Sequence, residues 1–146
     1  MKRSAALAPL SRDHHHALDA ALRLRRATPA DTGAAVAHFL AFWNADGARH
    51  FGIEERHLLG AVGPEDREWR SAVDRVERDH ADIRVMAAAI ASGPPEGQTE
   101  LAHRLGGRLR DHVRFEEQQL FRLLEARLPD DELRRLGERV AAAEGP

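Results

Sequence analysis

Two stretches of this chain follow one pattern, and that pattern limits the fold more than any other feature. Residues 50–59 read His50-Phe51-Gly52-Ile53-Glu54-Glu55-Arg56-His57-Leu58-Leu59, and residues 112–121 read His112-Val113-Arg114-Phe115-Glu116-Glu117-Gln118-Gln119-Leu120-Phe121. Both are H-x-x-x-E-E-x-x-L followed by an apolar residue. Residues i and i+4 share one face of an α-helix about a turn apart, so each His/Glu pair can aim at a common point. In both stretches that face is apolar: Leu105, Leu109, Leu120 and Leu123 continue the line of His112 and Glu116, and Phe51 and Leu58 flank His50 and Glu54. A charged carboxylate on an inward face is costly unless it is paired or bound to metal.

Each stretch is preceded by a segment with a single inward histidine. His14 lies in a stripe of Leu7, Leu10, Ala17, Ala21 and Leu24. His80 lies in a stripe of Trp69, Ala72, Val73, Val76, Ile83, Met86 or Ala87, and Ile90. Spacing by three and four residues predicts amphipathic helices throughout. Proline and glycine divide them. The first helix runs from about 10 to 27 and stops before Thr28-Pro29. The second starts at Asp31 or Thr32, whose side chains can cap it, and runs to about 61. The third starts at Pro64-Glu65-Asp66 and stops at Ser92-Gly93-Pro94-Pro95. The fourth runs from about 98 to 128, and a short fifth from 130 to about 143. Gly47 reads as a weak point or kink in the second helix. His50 lies farther from the first turn than His14 does, which calls for a longer connection or a bend near Gly47.

The expected architecture is therefore all-α: an up-down-up-down antiparallel four-helix bundle over about 5–128, with a short C-terminal fifth helix, in one domain spanning 1–146. The scarcity of β-branched residues and the abundance of Ala, Leu, Arg and Glu agree with this. Trp43, Trp69, Phe39, Phe42, Phe115 and Phe121 read as core or helix-contact aromatics. There are no cysteines, so thiolate metal sites, disulfides and cysteine nucleophiles are excluded. With 22 basic and 24 acidic residues interleaved along the chain, no nucleic-acid surface is expected. No apolar run is long enough for a membrane span, and residues 1–10 do not read as a signal peptide, so a cytoplasmic protein is expected.

Two hairpins that each supply His, His and Glu call for cations. Imidazole with carboxylate suits iron, manganese or zinc, and inward Glu and His in a bundle core is a di-iron arrangement. The candidate metal ligands are His14, His50, Glu54, His80, His112 and Glu116. Glu55 and Glu117 read as salt-bridging groups or partners of the ligands. His15 and His16 read as solvated, and His38, His57 and His103 as surface or supporting residues.

These residues resemble the hemerythrin-like HHE cation-binding domain over nearly the whole chain. That resemblance implies two non-haem irons bridged by Glu54 and Glu116. The same set is similar to the metal domain of di-iron proteins linked to iron–sulfur cluster repair, whose N-terminal cysteine-containing domain has no counterpart in these residues. Oxygen-carrying hemerythrins have H-x-x-x-H on the third helix, whereas here the positions four before and after His80 are Val76 and Arg84. The site is one histidine short of that pattern, and Glu77 or His57 could fill the gap. The resemblance implies binding or sensing of a small diatomic ligand (O2 or NO), or handling of iron and redox stress. The alternative is a di-iron oxidoreductase that reduces O2, peroxide or NO and draws on an external electron donor, with a redox partner protein.

Overall fold

The computed structural model describes residues 3–94 and 97–145. Met1 and Lys2 of the N-terminal reading, and Pro95 of the third helix stop, lie outside the described residues. Within them the chain is helical, with no strand. A 3-10 turn (Ala5–Leu7) leads into α1 (Ala8–Arg25). The second rod is compound: α2 (Thr32–Phe42), a π-helical turn (Trp43–Gly47), α3 (Ala48–Ile53) and a second π turn (Glu54–Leu58). The third rod is α4 (Arg67–Ser92). The fourth is α5 (Thr99–Phe115), a π turn (Glu116–Leu120) and α6 (Phe121–Arg127). The fifth is α7 (Asp130–Glu144), with three acids in its first turn, where the helix dipole favours them.

The expected irregularity near Gly47 takes the form of the Trp43–Gly47 π turn, which spends an extra residue before His50. A Cβ on Gly47 would stand 2.8 Å from Trp43 Cε3 and 2.9 Å from Phe42 Cε2, so both rings close over a bare backbone. The first helix ends at Arg25 rather than 27, so the connection between the first two rods, residues 26–31, is also two residues longer than expected. There Asp31 does not cap α2. Its Oδ1 accepts the Thr28 N–H at 2.6 Å within the turn. The second rod ends at Leu58 rather than 61, because its last turn is π-wound and the Leu59 carbonyl accepts from Trp69 Nε1. Asp66 caps α4 by accepting the Trp69 N–H at 3.0 Å.

Helix α1 packs on α2 and, most extensively, on α5, while α4 packs on α5. Gly106 permits the closest of these approaches: a Cβ there would meet the Ala21 carbonyl oxygen at 2.7 Å. Burial follows the apolar stripes, with Val73 only half-buried, and shows one shift. Leu123, expected inward, is half-buried, and Leu124 takes the core position. The extra residue of the Glu116–Leu120 π turn rotates the following face by that amount. The interior holds two apolar clusters. One gathers Leu24, Phe39, Phe51, Ile83, Ile90 and Leu105, among others. The other gathers Leu10, Ile53, Trp69, Val76, Phe121 and residues of α7. On the first and third rods the metal-ligand candidate falls between them (Leu10, His14, Ala17 on α1, and Val76, His80, Ile83 on α4), and on the second and fourth the boundary passes between the histidine and the glutamate. The site is a polar layer sealed above and below by hydrocarbon.

Candidate metal centre

All six candidate side chains reach this layer, and none is more than 4% exposed. α1 supplies His14, α3 His50, α4 His80 and α5 His112. Glu54 and Glu116 each open a π turn, at the same point of the two repeats. Wide π turns recur at functional sites, where they re-aim a side chain without ending the helix.

The six resolve into two groups of four, each able to surround one cation. His14, His50, Glu54 and Glu116 form one; Glu54, His80, His112 and Glu116 form the other. Within each, one nitrogen or oxygen of every residue lies within 4.8 Å of the rest. Both glutamates belong to both groups. His14 Nε2 stands 2.9 Å from Glu116 Oε1 and His80 Nε2 3.1 Å from Glu54 Oε1. His50 Nε2 and Glu54 Oε2 are 3.2 Å apart, and His112 Nε2 and Glu116 Oε2 3.4 Å. Yet these last four atoms are buried without a hydrogen-bond partner. Buried polar atoms are rarely left so. Four of them converging from two imidazoles and two carboxylates fit cations that take nitrogen and oxygen donors.

The outward nitrogen of each imidazole is engaged. Nδ1–H of His14 donates to Glu117 at 2.5 Å, that of His50 to Asp13 at 3.0 Å, that of His80 to Glu55 at 2.7 Å, and that of His112 to Asp79 at 3.0 Å. A carboxylate on Nδ1 fixes the tautomer, turns Nε2 inward and strengthens it as a donor to metal. Glu55 and Glu117 thus support histidines and stand in neither four-residue group. Each pairs also with an arginine, Arg84 and Arg3 respectively.

Without metal the layer is a set of ion pairs. Burial works against charge on His112, but the attraction of Glu116 and the hydrogen bond to Asp79 outweigh it, and its pKa rises to about 10. For the same reasons His50 is pushed well above the ordinary value by Glu54 and Asp13, and His14 is raised by Glu116 and Glu117. Burial would raise Glu116, yet His112, His14 and His50 hold it well below the ordinary carboxylate range. Burial beside Asp13 lifts Glu144 to about 7.

Glu77 is exposed and His57 half-buried, and neither joins a group, so neither fills the gap left by Val76 and Arg84. His15 and His16 are exposed, His38 pairs with Asp19, and His103 donates to the Ala27 carbonyl. Three acids near the centre were not foreseen: Asp13 and Asp79, which hold imidazoles, and Glu144, which clusters with Asp13 and His50. The first two had a readable signal, the dipeptide Asp-His at 13–14 and again at 79–80.

A small cavity of about 10 Å³ abuts one side of the layer. It touches Asp13, His14, His50 and His112, and its other walls include Ala17, Phe42, Trp43, Phe51 and Leu109. Phe51 also stacks on His80, with centroids 3.8 Å apart. Among the described residues, no helix is long and apolar enough to cross a membrane. Residues 6–124 match the family described as the hemerythrin HHE cation binding domain. No curated protein and no solved structure matches the chain.

Proposed function

This chain belongs to the hemerythrin HHE cation-binding family, and we propose that it is a non-haem di-iron protein. In this reading His14, His50, His80 and His112 each ligate one ion, and Glu54 and Glu116 are shared by two. The observation that carries it is the pair of four-residue groups joined by the same two buried glutamates. Two cations would neutralise both carboxylates and occupy the four inward atoms that now lack partners. Manganese or zinc accepts the same donors. The reading includes an antiparallel up-down-up-down order for the four ligand-bearing rods, supported by their short connections and by their convergence on one layer.

The ligand we propose is a small diatomic, O2 or NO. A bound iron pair supplies open coordination positions and electrons for such a molecule. The rest is the work of this chain's residues. Val76 and Arg84, at the two places where a further histidine would reach the site, supply no ligand: Val76 is buried in an apolar cluster and Arg84 is exposed and paired with Glu55. The cavity beside His14, His50 and His112 is walled by Phe42, Trp43 and Phe51 and, at about 10 Å³, is of the size of one water, so O2 or NO would have to press its walls apart. The two hydrocarbon layers keep bulk water from that molecule, and the four carboxylates hold the imidazoles in place.

Metal content and the visible spectrum of wild type and His112→Ala test this. Two irons per chain, with a spectrum that changes when O2 or NO meets the reduced protein and is lost in the variant, are expected. Metal-free wild type, after expression with iron, sinks the reading. Sustained consumption of O2, peroxide or NO with an added reductant would move the assignment to an oxidoreductase.

A further inference from the structure

The repeat provides two equivalent seats on the outside of the bundle. Helix α7 fills one, and among the described residues the other is open. α7 packs on the Ala5–Leu7 turn, α1, α3 and the Glu54–Leu58 turn. Its approach is close at the middle, where a Cβ on Gly137 would stand 2.7 Å from Ala6 Cα. Its Leu133, Leu136 and Val140 are buried in the second apolar cluster. The family match ends at residue 124, so this covering helix lies outside it.

The register that carries His14 onto His80 carries Ala6 onto Ala72, and the register that carries His50 onto His112 carries Ile53 onto Phe115. Ala72 and Phe115 both line an open groove of about 740 Å³ between α4 and the fourth rod. On α4 its lining residues recur at three- and four-residue steps from Glu68 to Arg78, and on the fourth rod they recur from Phe115 to Arg127. At about 1.5 Å per residue, each wall runs for roughly 15–18 Å, or about three helical turns. A trough of that length between two packed helices has the shape that a third, amphipathic helix fills.

The charge of the open seat is basic. Arg78 and Arg122 are exposed on its two walls and form no ion pair among the described residues. Arg75 lies over the Phe115 ring, 4.3 Å from its centroid, with Nε 3.5 Å from Asp79 Oδ2. Glu68, the acid on the wall, is already paired with Arg127. Guanidiniums above an apolar floor of Ala72, Phe115 and Leu123 favour carboxylates on whatever covers that floor.

We propose that this groove is a docking site for an acidic amphipathic helix of a partner protein, seated on the second half as α7 is seated on the first. The apolar stripe of that helix meets Ala72, Phe115 and Leu123, with a small residue where it crosses Ala72, and its carboxylates pair with Arg78 and Arg122. Docking needs no metal. It does place the partner against Arg75, whose companion Asp79 accepts the His112 Nδ1–H.

The test is an amide NMR titration of the isotope-labelled, metal-free full chain with a synthetic peptide. The peptide has the sequence of α7, residues 130–144, with Arg135→Glu and Arg139→Glu, so it keeps an apolar face suited to the equivalent seat and gains acid at two exposed positions. Shifts should cluster at residues 68–78 and 115–127 and weaken with added salt, which screens exposed charges. Arg78→Glu with Arg122→Glu in the protein should weaken binding roughly tenfold, as the loss of two exposed pairs implies. Arg26→Glu with Arg104→Glu, at exposed sites outside the groove, should leave it unchanged. The unaltered α7 peptide should bind more weakly than the acidic one. Equal binding of the two peptides, shifts confined to the seat that α7 already fills, or no shifts at the groove would each overturn the proposal. Inorganic pyrophosphate that reproduces the groove shifts at equal affinity makes the groove a site for small phosphates and overturns the protein partner. A wild-type dimer in sedimentation that Arg78→Glu with Arg122→Glu dissolves gives the groove to a second copy of the chain, and overturns it likewise.

Discussion

In the metal-free protein, Glu116→Gln deletes one charge from a buried set of four imidazoles and two carboxylates. Glu116 is fully buried, with Oε1 2.9 Å from His14 Nε2 and 3.8 Å from His50 Nε2, and Oε2 3.4 Å from His112 Nε2 and 4.0 Å from His80 Nε2. At neutral pH His112 is protonated, because its pKa stands at about 10. Glutamine leaves that imidazolium facing an uncharged amide. Removing one partner of a buried pair costs roughly 3–5 kcal/mol. At about 3 °C per kcal/mol for a chain of this size, the metal-free melting temperature should fall by about 9–15 °C. Thermal unfolding followed by circular dichroism in excess chelator reads this directly, with Glu77→Gln at an exposed site as the unaffected control. The pH dependence separates charge from shape. A histidine whose pKa is raised on folding stabilises the fold fully below its unfolded value of about 6.5, and loses that contribution as pH rises through its folded value. The penalty should therefore shrink steadily between pH 7 and pH 10, as His112 loses its proton in wild type too. A penalty as large at pH 10.5 as at pH 7, or none at pH 7, would refute the ion-pair account.

Metal uptake must displace the protons that raised pKa values hold on His112, His50 and His14. Calorimetric titration at pH 7 in two buffers of different ionisation enthalpy should show at least one proton released per chain; none released would contradict protonation of the empty site. Gly106→Ala places a methyl 2.7 Å from the Ala21 carbonyl oxygen and 2.8 Å from Arg25 Cγ. Overpacking of this kind costs about 1–3 kcal/mol, and a denaturant midpoint equal to that of wild type would mean that α1 and α5 part freely. Gly47→Ala presses on Trp43 and Phe42, two walls of the cavity. It should change the affinity for O2 or NO severalfold at unchanged metal content, and unchanged affinity would detach the cavity from ligand binding.

Much of this arrangement is legible in the residues. Proline and glycine mark the ends of α1, α4 and α7 within a few positions, and the polar interruptions of the apolar stripes mark all six residues that meet in the centre. Two of the three π turns are not legible. A π turn differs from an α turn by one residue of hydrogen-bond spacing, and Glu54–Leu58 and Glu116–Leu120 carry no composition that demands it. Their consequence, Leu124 inward instead of Leu123, was hidden for the same reason. Asp13 and Asp79 sit beside His14 and His80 in sequence but serve the histidine of a neighbouring rod, a relation that depends on packing and not on the periodicity of one helix. Glu144 meets Asp13 from the far end of the chain, and nothing local foretells where α7 comes to rest.

Two of the four hydrogen bonds behind the histidines cross between the repeats. His14 of the first hairpin is held by Glu117 of the second, and His80 of the second by Glu55 of the first. Each four-residue group likewise borrows one glutamate from the other hairpin. Such reciprocity is what a two-fold axis generates. A single hairpin carrying Asp-His and H-x-x-x-E-E, paired with its own copy, would supply every residue of the centre. Joining the copies in one chain frees the two halves from identity, so that a helix such as α7 can settle on α1 and α3 of the first half.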